Sequence, residues 1–122
     1  MNISVNLLVL RCRNIEVSRK FYEKLGIKFN KEKHGSGPEH FAAEVGNLIF
    51  ELYPLNENEK PDNNRVGFST PLLADVSGNL IHDKDIQVVE QIHERNGHLV
   101  LVVKDPDGRK VEVTQKLHEA RP

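Results

Sequence analysis

The sequence has a single cysteine, no tryptophan and no excess of charge of either sign. Cys12 has no second cysteine with which to form an intrachain disulfide, and its apolar surroundings in the sequence suit a small buried side chain. Both features favour a protein of the reducing cytoplasm. The 17 Lys and Arg residues nearly balance 18 Asp and Glu residues, for a formal net charge of -1. Nucleic acid is therefore not expected as a main partner.

Long apolar segments and familiar catalytic motifs are missing as well. The opening stretch MNISVNLLVL has a short apolar run without a basic lead or a small-residue cleavage site, so we expect neither a signal peptide nor a membrane span. There is no glycine-rich phosphate loop, no G-x-S-x-G motif and no C-x-x-C pair. At 122 residues the chain is long enough for one domain and too short for two independent ones, so residues 1–122 are predicted to form a single domain.

Hydrophobic spacing predicts a strand-helix-three-strand order in residues 3–54. Apolar residues at helical spacing follow Asn14, a residue type that caps helix N-termini, and the pattern stops at Gly26. Runs of β-branched and alternating residues predict the four strands, at 3–12, 27–33, 39–45 and 48–54. Residues 55–64 are polar and contain a proline, which predicts an exposed linker.

The same order is predicted again in residues 65–116. The predicted strands lie at 65–70, 86–94, 98–104 and 110–115. The helix predicted between Leu72 and Asp83 is weak, because Gly78 interrupts it, and one or two irregular turns are the alternative. The polar tail, 117–122, is expected to fray.

A hairpin at Gly46-Asn47 would sort the flanking strands into two faces. The apolar face, expected to lie on the helix, would collect Phe41, Ala43, Val45, Leu48, Phe50 and Leu52. The opposite face would carry His40, Glu51 and Tyr53. Such a face belongs to a functional site or to solvent.

Two segments resemble the vicinal oxygen chelate superfamily, which includes glyoxalases, bleomycin-binding proteins and extradiol dioxygenases. They are NIEVSRKFYEKLG at 14–26 and DPDGRKVEV at 105–113, both at the expected places in the doubled order. The resemblance implies an α+β fold of two βαβββ modules whose mixed sheets curl around a cup, and a homodimer. It also implies a divalent metal held by His, Glu, His and Glu, or close variants, from the first and last strands of each module.

Only half of that ligand set is present when the resemblance is carried over by position. Glu51 and Glu112 match the two carboxylate ligands, whereas Leu7 and Arg65 stand at the two histidine positions, the latter within RVGFS at 65–69. A one-residue slip would place Asn6 or Val66 there instead. Leucine has no lone pair to donate and a guanidinium repels a cation, so we predict no tightly bound metal and no cofactor. Weak binding of a divalent ion at the two glutamates stays open.

Arg65 is predicted to take the place of the ion. We hypothesise an ion-pair cluster of Arg65 with Glu51 and Glu112, with His40 and Tyr53 on its wall and Leu7 nearby, as the lining of a ligand site. The ordinary alternative for each charged residue is the solvent-facing side of an alternating strand.

The function predicted first is binding of a small organic ligand in the cup without a catalytic metal. The alternative is a glyoxalase-like lyase or isomerase, with Glu51 or Glu112 as the proton-transfer base, either on a divalent metal or with Arg65 stabilising the developing negative charge. A dioxygenase is disfavoured, because the matching positions supply none of the histidines that bind its iron.

Overall fold

The structure is a computed structural model that describes residues 2–118. The chain divides into two compact units, Met1–Asp62 and Asn63–Pro122. Each described unit contains one helix and one four-stranded mixed sheet, so the predicted α+β class and the doubled βαβββ order are confirmed. The predicted frayed tail falls, beyond residue 118, outside the described residues. Among residues 2–118, no helix is long and apolar enough to cross a membrane.

The first unit is built on a sheet with the strand order β1-β4-β3-β2, in which β1 runs parallel to β4. Helix α1 (Ile15–Glu23) begins after Asn14, whose side-chain oxygen accepts the backbone N–H groups of Glu16 and Val17 at 3.0 and 3.2 Å, as predicted for an N-cap. The strands are β1 (Leu7–Cys12), β2 (Asn30–Glu32), β3 (His40–Val45) and β4 (Leu48–Pro54).

The apolar face of this sheet is the one that the sequence predicts. The register pairs Phe41 with Leu52 and Ala43 with Phe50, and Tyr22 of α1 stands edge-on to Phe50 with ring centroids 5.1 Å apart. The first strand is shorter than predicted: it starts at Leu7 and not at residue 3. Strand β4 begins only after the turn at Gly46-Asn47, and it runs parallel to β1. Residues 3–5 therefore have no β4 residues beside them with which to form strand hydrogen bonds.

The second unit repeats the plan with the order β5-β8-β7-β6, and β5 runs parallel to β8. Its elements, whose bounds are given by the structure, are β5 (Val66–Ser69), α2 (Leu73–Ile81), β6 (Val88–Arg95), β7 (His98–Lys104) and β8 (Lys110–Lys116).

Helix α2 is a regular α-helix and not the pair of irregular turns considered above. Leu73, Val76 and Leu80 are buried at helical spacing, and each contributes about 1.5–3 kcal/mol by leaving water. The glycine at position 78 costs only about 1 kcal/mol relative to alanine in a helix. Burial therefore outweighs the weak local propensity.

The turn between β7 and β8 contains a buried ion pair. Arg109 is fully buried, and its guanidinium donates to Asp105 Oδ2 at 3.2 Å. The other oxygen of Asp105 accepts the backbone N–H groups of Asp107 and Arg109 at 2.9 and 3.0 Å. Asp105 therefore stabilises both the backbone of the turn and the buried positive charge of Arg109. This structural role accounts for the first aspartate and the arginine of DPDGR without a catalytic role.

Candidate functional site

The polar face of the first sheet brings together three of the predicted site residues. His40 lies on β3, and Glu51 and Tyr53 lie on β4, all on the face opposite α1. The imidazole of His40 is 1% exposed, and its Nε2 atom lies 3.5 Å from Glu51 Oε2 and 3.2 Å from the Tyr53 hydroxyl. The rings of His40 and Tyr53 are stacked, with centroids 4.1 Å apart and planes 10° apart.

The electrostatics of this face act on Tyr53. Its partial removal from water raises the pKa of the phenol above its ordinary value, and the negative charge of Glu51 raises it further. Arg11, whose guanidinium carbon lies 5.0 Å from the centroid of the same ring, opposes this shift. Tyr53 therefore stays protonated at neutral pH, as a hydrogen-bond donor for a ligand or neighbour.

The first strand contributes only apolar or cationic side chains to this face. Val9 stands opposite Glu51, Leu7 stands opposite Ile49, and Arg11 stands opposite Tyr53. Leu7 is half exposed and lies at the start of β1, two residues before the position that faces Glu51. The sequence leaves the first ligand position at Leu7 or Asn6. The register instead places two apolar side chains, those of Leu7 and Val9, on this face beside β4.

A groove of about 400 Å³ lies on the same face of the first unit. Its walls include Glu51 and Ile49 from β4, Ala42 from β3, and Lys28 and Glu32 from the preceding segment. With Glu44, the lining combines one positive charge, three negative charges and an apolar wall, which suits a small molecule with both ionic and apolar parts.

The polar face of the second sheet brings Arg65 and Glu112 into contact, as predicted. Arg65 Nε donates to Glu112 Oε1 at 2.8 Å, and Arg95, which the sequence analysis missed, approaches Glu112 Oε2 at 3.5 Å. Gly67 is the residue directly opposite Glu112 on β5. A second groove, of about 350 Å³, is lined by Arg95, Glu112 and neighbouring residues.

Charges alternate along this second face. The Arg65 guanidinium lies 4.0 Å from Glu90, and the His93 imidazole lies 3.4 Å from the same carboxylate. Of the hypothesised cluster, the contact of Arg65 with Glu112 is present within the second unit, where this carboxylate lies nearer to Arg65 than that of Glu90 does. Glu51 belongs to the first unit, where the imidazole of His40 lies 3.5 Å from its carboxylate.

The residues of the superfamily's metal position do not fit a divalent ion. Each glutamate has a residue without a donor side chain opposite it, Val9 beside Glu51 and Gly67 beside Glu112. Two guanidinium groups already engage both oxygens of Glu112. A divalent ion there would have to displace charge-assisted hydrogen bonds and stand next to fixed positive charge.

A model of the Glyoxalase/Bleomycin resistance protein/Dioxygenase superfamily matches residues 4–113. The chain belongs to this superfamily. The match spans most of both units and confirms the resemblance seen in the segments at 14–26 and 105–113. None of the curated proteins matches the sequence significantly.

Solved structures share the fold over nearly the whole chain. An integron cassette protein from the mobile metagenome of V. cholerae is 30% identical, with 94% of this chain and 97% of that chain covered and a TM-score of 0.69. Virulence protein STM3117 from Salmonella typhimurium is 23% identical, with 96% and 99% covered and a TM-score of 0.74. TnmS3, an antibiotic binding protein from Streptomyces sp. CB03234, is 18% identical, with 95% and 98% covered and a TM-score of 0.75.

Proposed function

We propose that this superfamily member binds a small organic ligand on the polar faces of its sheets, without a catalytic metal at the superfamily's position. The observation that carries the proposal is the 2.8 Å contact between Arg65 and Glu112. It supplies a fixed positive charge where an ion would otherwise stabilise the carboxylate. A charged pair at the edge of a groove also offers both a donor and an acceptor to a ligand.

The chemistry of the two faces favours a ligand that has ionisable groups and an apolar part. In the first unit the half-exposed Leu7, with Val9 and Ile49, provides an apolar surface beside Glu51. In the second unit Arg65 and Glu112 provide both signs of charge. The shared fold with TnmS3, described as an antibiotic binding protein, supports binding over turnover as the first hypothesis.

The test is a thermal-shift screen of zwitterionic aromatic compounds and cationic glycopeptides in the presence of EDTA. A ligand at a hundred times its Kd should stabilise the protein by about 2.7 kcal/mol. We expect Arg65→Ala to abolish the shift and Arg13→Ala, which removes an exposed guanidinium elsewhere, to leave it unchanged. Hits that survive Arg65→Ala, or that appear only after a metal is added, would argue against the proposal.

A lyase or isomerase is the second candidate, and one contact favours it. Glu51 and His40 lie 3.5 Å apart beside a protonated tyrosine, an arrangement that suits proton transfer. Turnover of the methylglyoxal-glutathione adduct that falls with Glu51→Gln or Glu112→Gln would favour the enzyme. Binding without product would favour the first hypothesis.

We also propose that the protein is a cytoplasmic homodimer. The exposed apolar side chains Ile3, Val5 and Leu7, in and before an edge strand of the first sheet, support association with a second copy. The solution mass, compared with 13.9 kDa for one chain, tests the dimer.

A further inference from the structure

The β2–β3 hairpin of the first unit carries a second cluster of polar side chains beyond the superfamily's metal position. Glu32 on β2 stands directly opposite His40 on β3, and His34 follows two residues after Glu32. One oxygen of the Glu32 carboxylate, Oε2, lies 3.3 Å from His34 Nε2 and 3.4 Å from His40 Nε2. The ligand-type atoms of the three residues all lie within 4.8 Å of one another.

The hydrogen bonding of His40 leaves a lone pair directed at carboxylates. Its Nδ1 atom lies 3.2 Å from the carbonyl oxygen of Pro38, which can only accept, so Nδ1 carries the proton. In a neutral imidazole Nε2 is then unprotonated, yet oxygens of Glu32 and Glu51 lie 3.4 and 3.5 Å away. An unprotonated nitrogen between two carboxylates is repelled unless a cation stands among them.

The hydroxyl of Tyr53 lies 3.2 Å from His40 Nε2, within hydrogen-bonding distance, and can donate to that nitrogen. The two rings are stacked nearly parallel, with centroids 4.1 Å apart, so the hydroxyl approaches from the face of the imidazole. A metal ion would approach the same nitrogen in the plane of the ring, on the side of the carboxylates.

A proton or a metal ion between these atoms would relieve that repulsion, and the distances are compatible with a metal ion. Imidazolium-carboxylate hydrogen bonds are about 2.7–2.9 Å long. Ligand atoms about 2.0–2.1 Å from a tetrahedral Zn²⁺ stand about 3.3–3.4 Å from each other. The two separations at Glu32, 3.3 and 3.4 Å, match two edges of that tetrahedron, and all three ligand atoms lie within 4.8 Å of one another.

Charge also favours one dication over two protons. The ring centroids of His34 and His40 are 5.1 Å apart, with the planes tilted by 40°, so charging both would place two positive imidazoliums next to each other. A single divalent ion neutralises the carboxylate and leaves both imidazoles uncharged, the form that binds metals. The Pro38 carbonyl then plays the usual supporting part by fixing the orientation of the buried ligand ring.

We propose that Glu32, His34 and His40 form a binding site for a divalent first-row transition metal, with Zn²⁺ as the ion of choice. Two nitrogens and one carboxylate suit zinc or its neighbours and not Mg²⁺ or Ca²⁺, which require oxygen ligands. Three protein ligands leave one coordination position for water or a ligand. Because Glu32 also lines the groove of about 400 Å³, the bound ion is accessible from that groove.

The test titrates the full-length, untagged chain with Zn²⁺ against a chromophoric chelator. We expect one ion per chain, and we expect His34→Ala to weaken binding by at least about tenfold, the minimum cost of disturbing a metal site. His34 is 72% exposed, so its loss does not threaten the fold. His82→Ala, which removes an exposed histidine of the second unit, is the matched control and should leave the affinity unchanged.

Further variants locate the ion and separate this site from the superfamily's position. Co²⁺ in place of Zn²⁺ should give visible absorption bands of a tetrahedral site that Glu32→Gln removes and Glu39→Gln retains. Glu112→Gln should leave Zn²⁺ binding intact. Equal affinity of the wild type and His34→Ala, or loss of binding in Glu112→Gln, would overturn the proposal. Ligand screening in EDTA is independent of this result, so the proposed binding function stands or falls separately.

Discussion

Replacing Asp105 with alanine is expected to lower the free energy of unfolding of the second unit by up to about 3–5 kcal/mol, the usual cost of breaking a buried ion pair. The guanidinium of Arg109, which is fully buried, would lose its 3.2 Å contact to Asp105 and keep a longer one, of 3.5 Å, to Asp107. The backbone N–H groups of Asp107 and Arg109 would lose their shared acceptor as well.

Far-ultraviolet circular dichroism during urea unfolding is the appropriate measurement, since both tyrosines lie in the first unit and the chain has no tryptophan. Asp105→Asn keeps an acceptor for the turn and should cost less than Asp105→Ala. Asp85→Ala, at an exposed position in the same unit, is the matched control. A loss below about 1 kcal/mol for Asp105→Ala would show that the turn does not depend on the pair, since surface substitutions cost about that little.

Replacing Phe50 with alanine is expected to destabilise the first unit by a similar amount, about 3–5 kcal/mol. Phe50 is fully buried at the centre of the sheet, with the ring of Tyr22 at 5.1 Å and that of Phe29 at 5.8 Å. The substitution removes the transfer free energy of the ring and leaves a cavity between α1 and β4 that neighbouring aromatic rings are too rigid to fill.

The measurement is again urea unfolding, here followed by tyrosine fluorescence because Tyr22 contacts the mutated side chain. Phe50→Leu should lose clearly less stability, because most of the buried volume is kept. Val17→Ala, on the half-exposed side of α1, should change stability by no more than about 0.5 kcal/mol. An equal loss for Val17→Ala and Phe50→Ala would contradict the assignment of the core.

The two faces of the first sheet follow from the sequence because a strand has a period of two. Once Gly46-Asn47 fixes the hairpin, each residue of β3 and β4 has only one face available to it. The apolar set is large enough to decide which face packs on α1. Prediction therefore succeeded for the location of His40, Glu51 and Tyr53.

The site residues that the sequence did not reveal, such as Arg95 and Glu32, are brought to the site by strand pairing. The alternation of residues along a single strand does not predict that pairing. Strand β6 has register shifts between Val88 and Glu90 and between Glu90 and His93. These shifts bring Glu90 and Arg95 to the same face, whereas a regular strand would place an even-numbered and an odd-numbered residue on opposite faces. The β2–β3 pairing has a visible signal, since a turn at Gly35-Ser36-Gly37-Pro38 places Glu32 opposite His40. Histidines considered one at a time do not reveal such a cluster.

The two glutamates at the superfamily's ligand positions are stabilised in different ways. Glu112 is paired with guanidinium groups that stay charged at any accessible pH. Glu51 lies beside the imidazole of His40, which can exchange a proton or a metal.

The proposed loss of the superfamily's metal position is tested most directly by anomalous X-ray scattering at the zinc edge, from crystals of the untagged protein soaked in Zn²⁺. We expect no anomalous peak within bonding distance of Glu112, and Arg65 Nε still hydrogen-bonded to its carboxylate. A peak coordinated by Glu112, with the guanidinium of Arg65 turned away, would contradict the proposal that a fixed cation has replaced the ion.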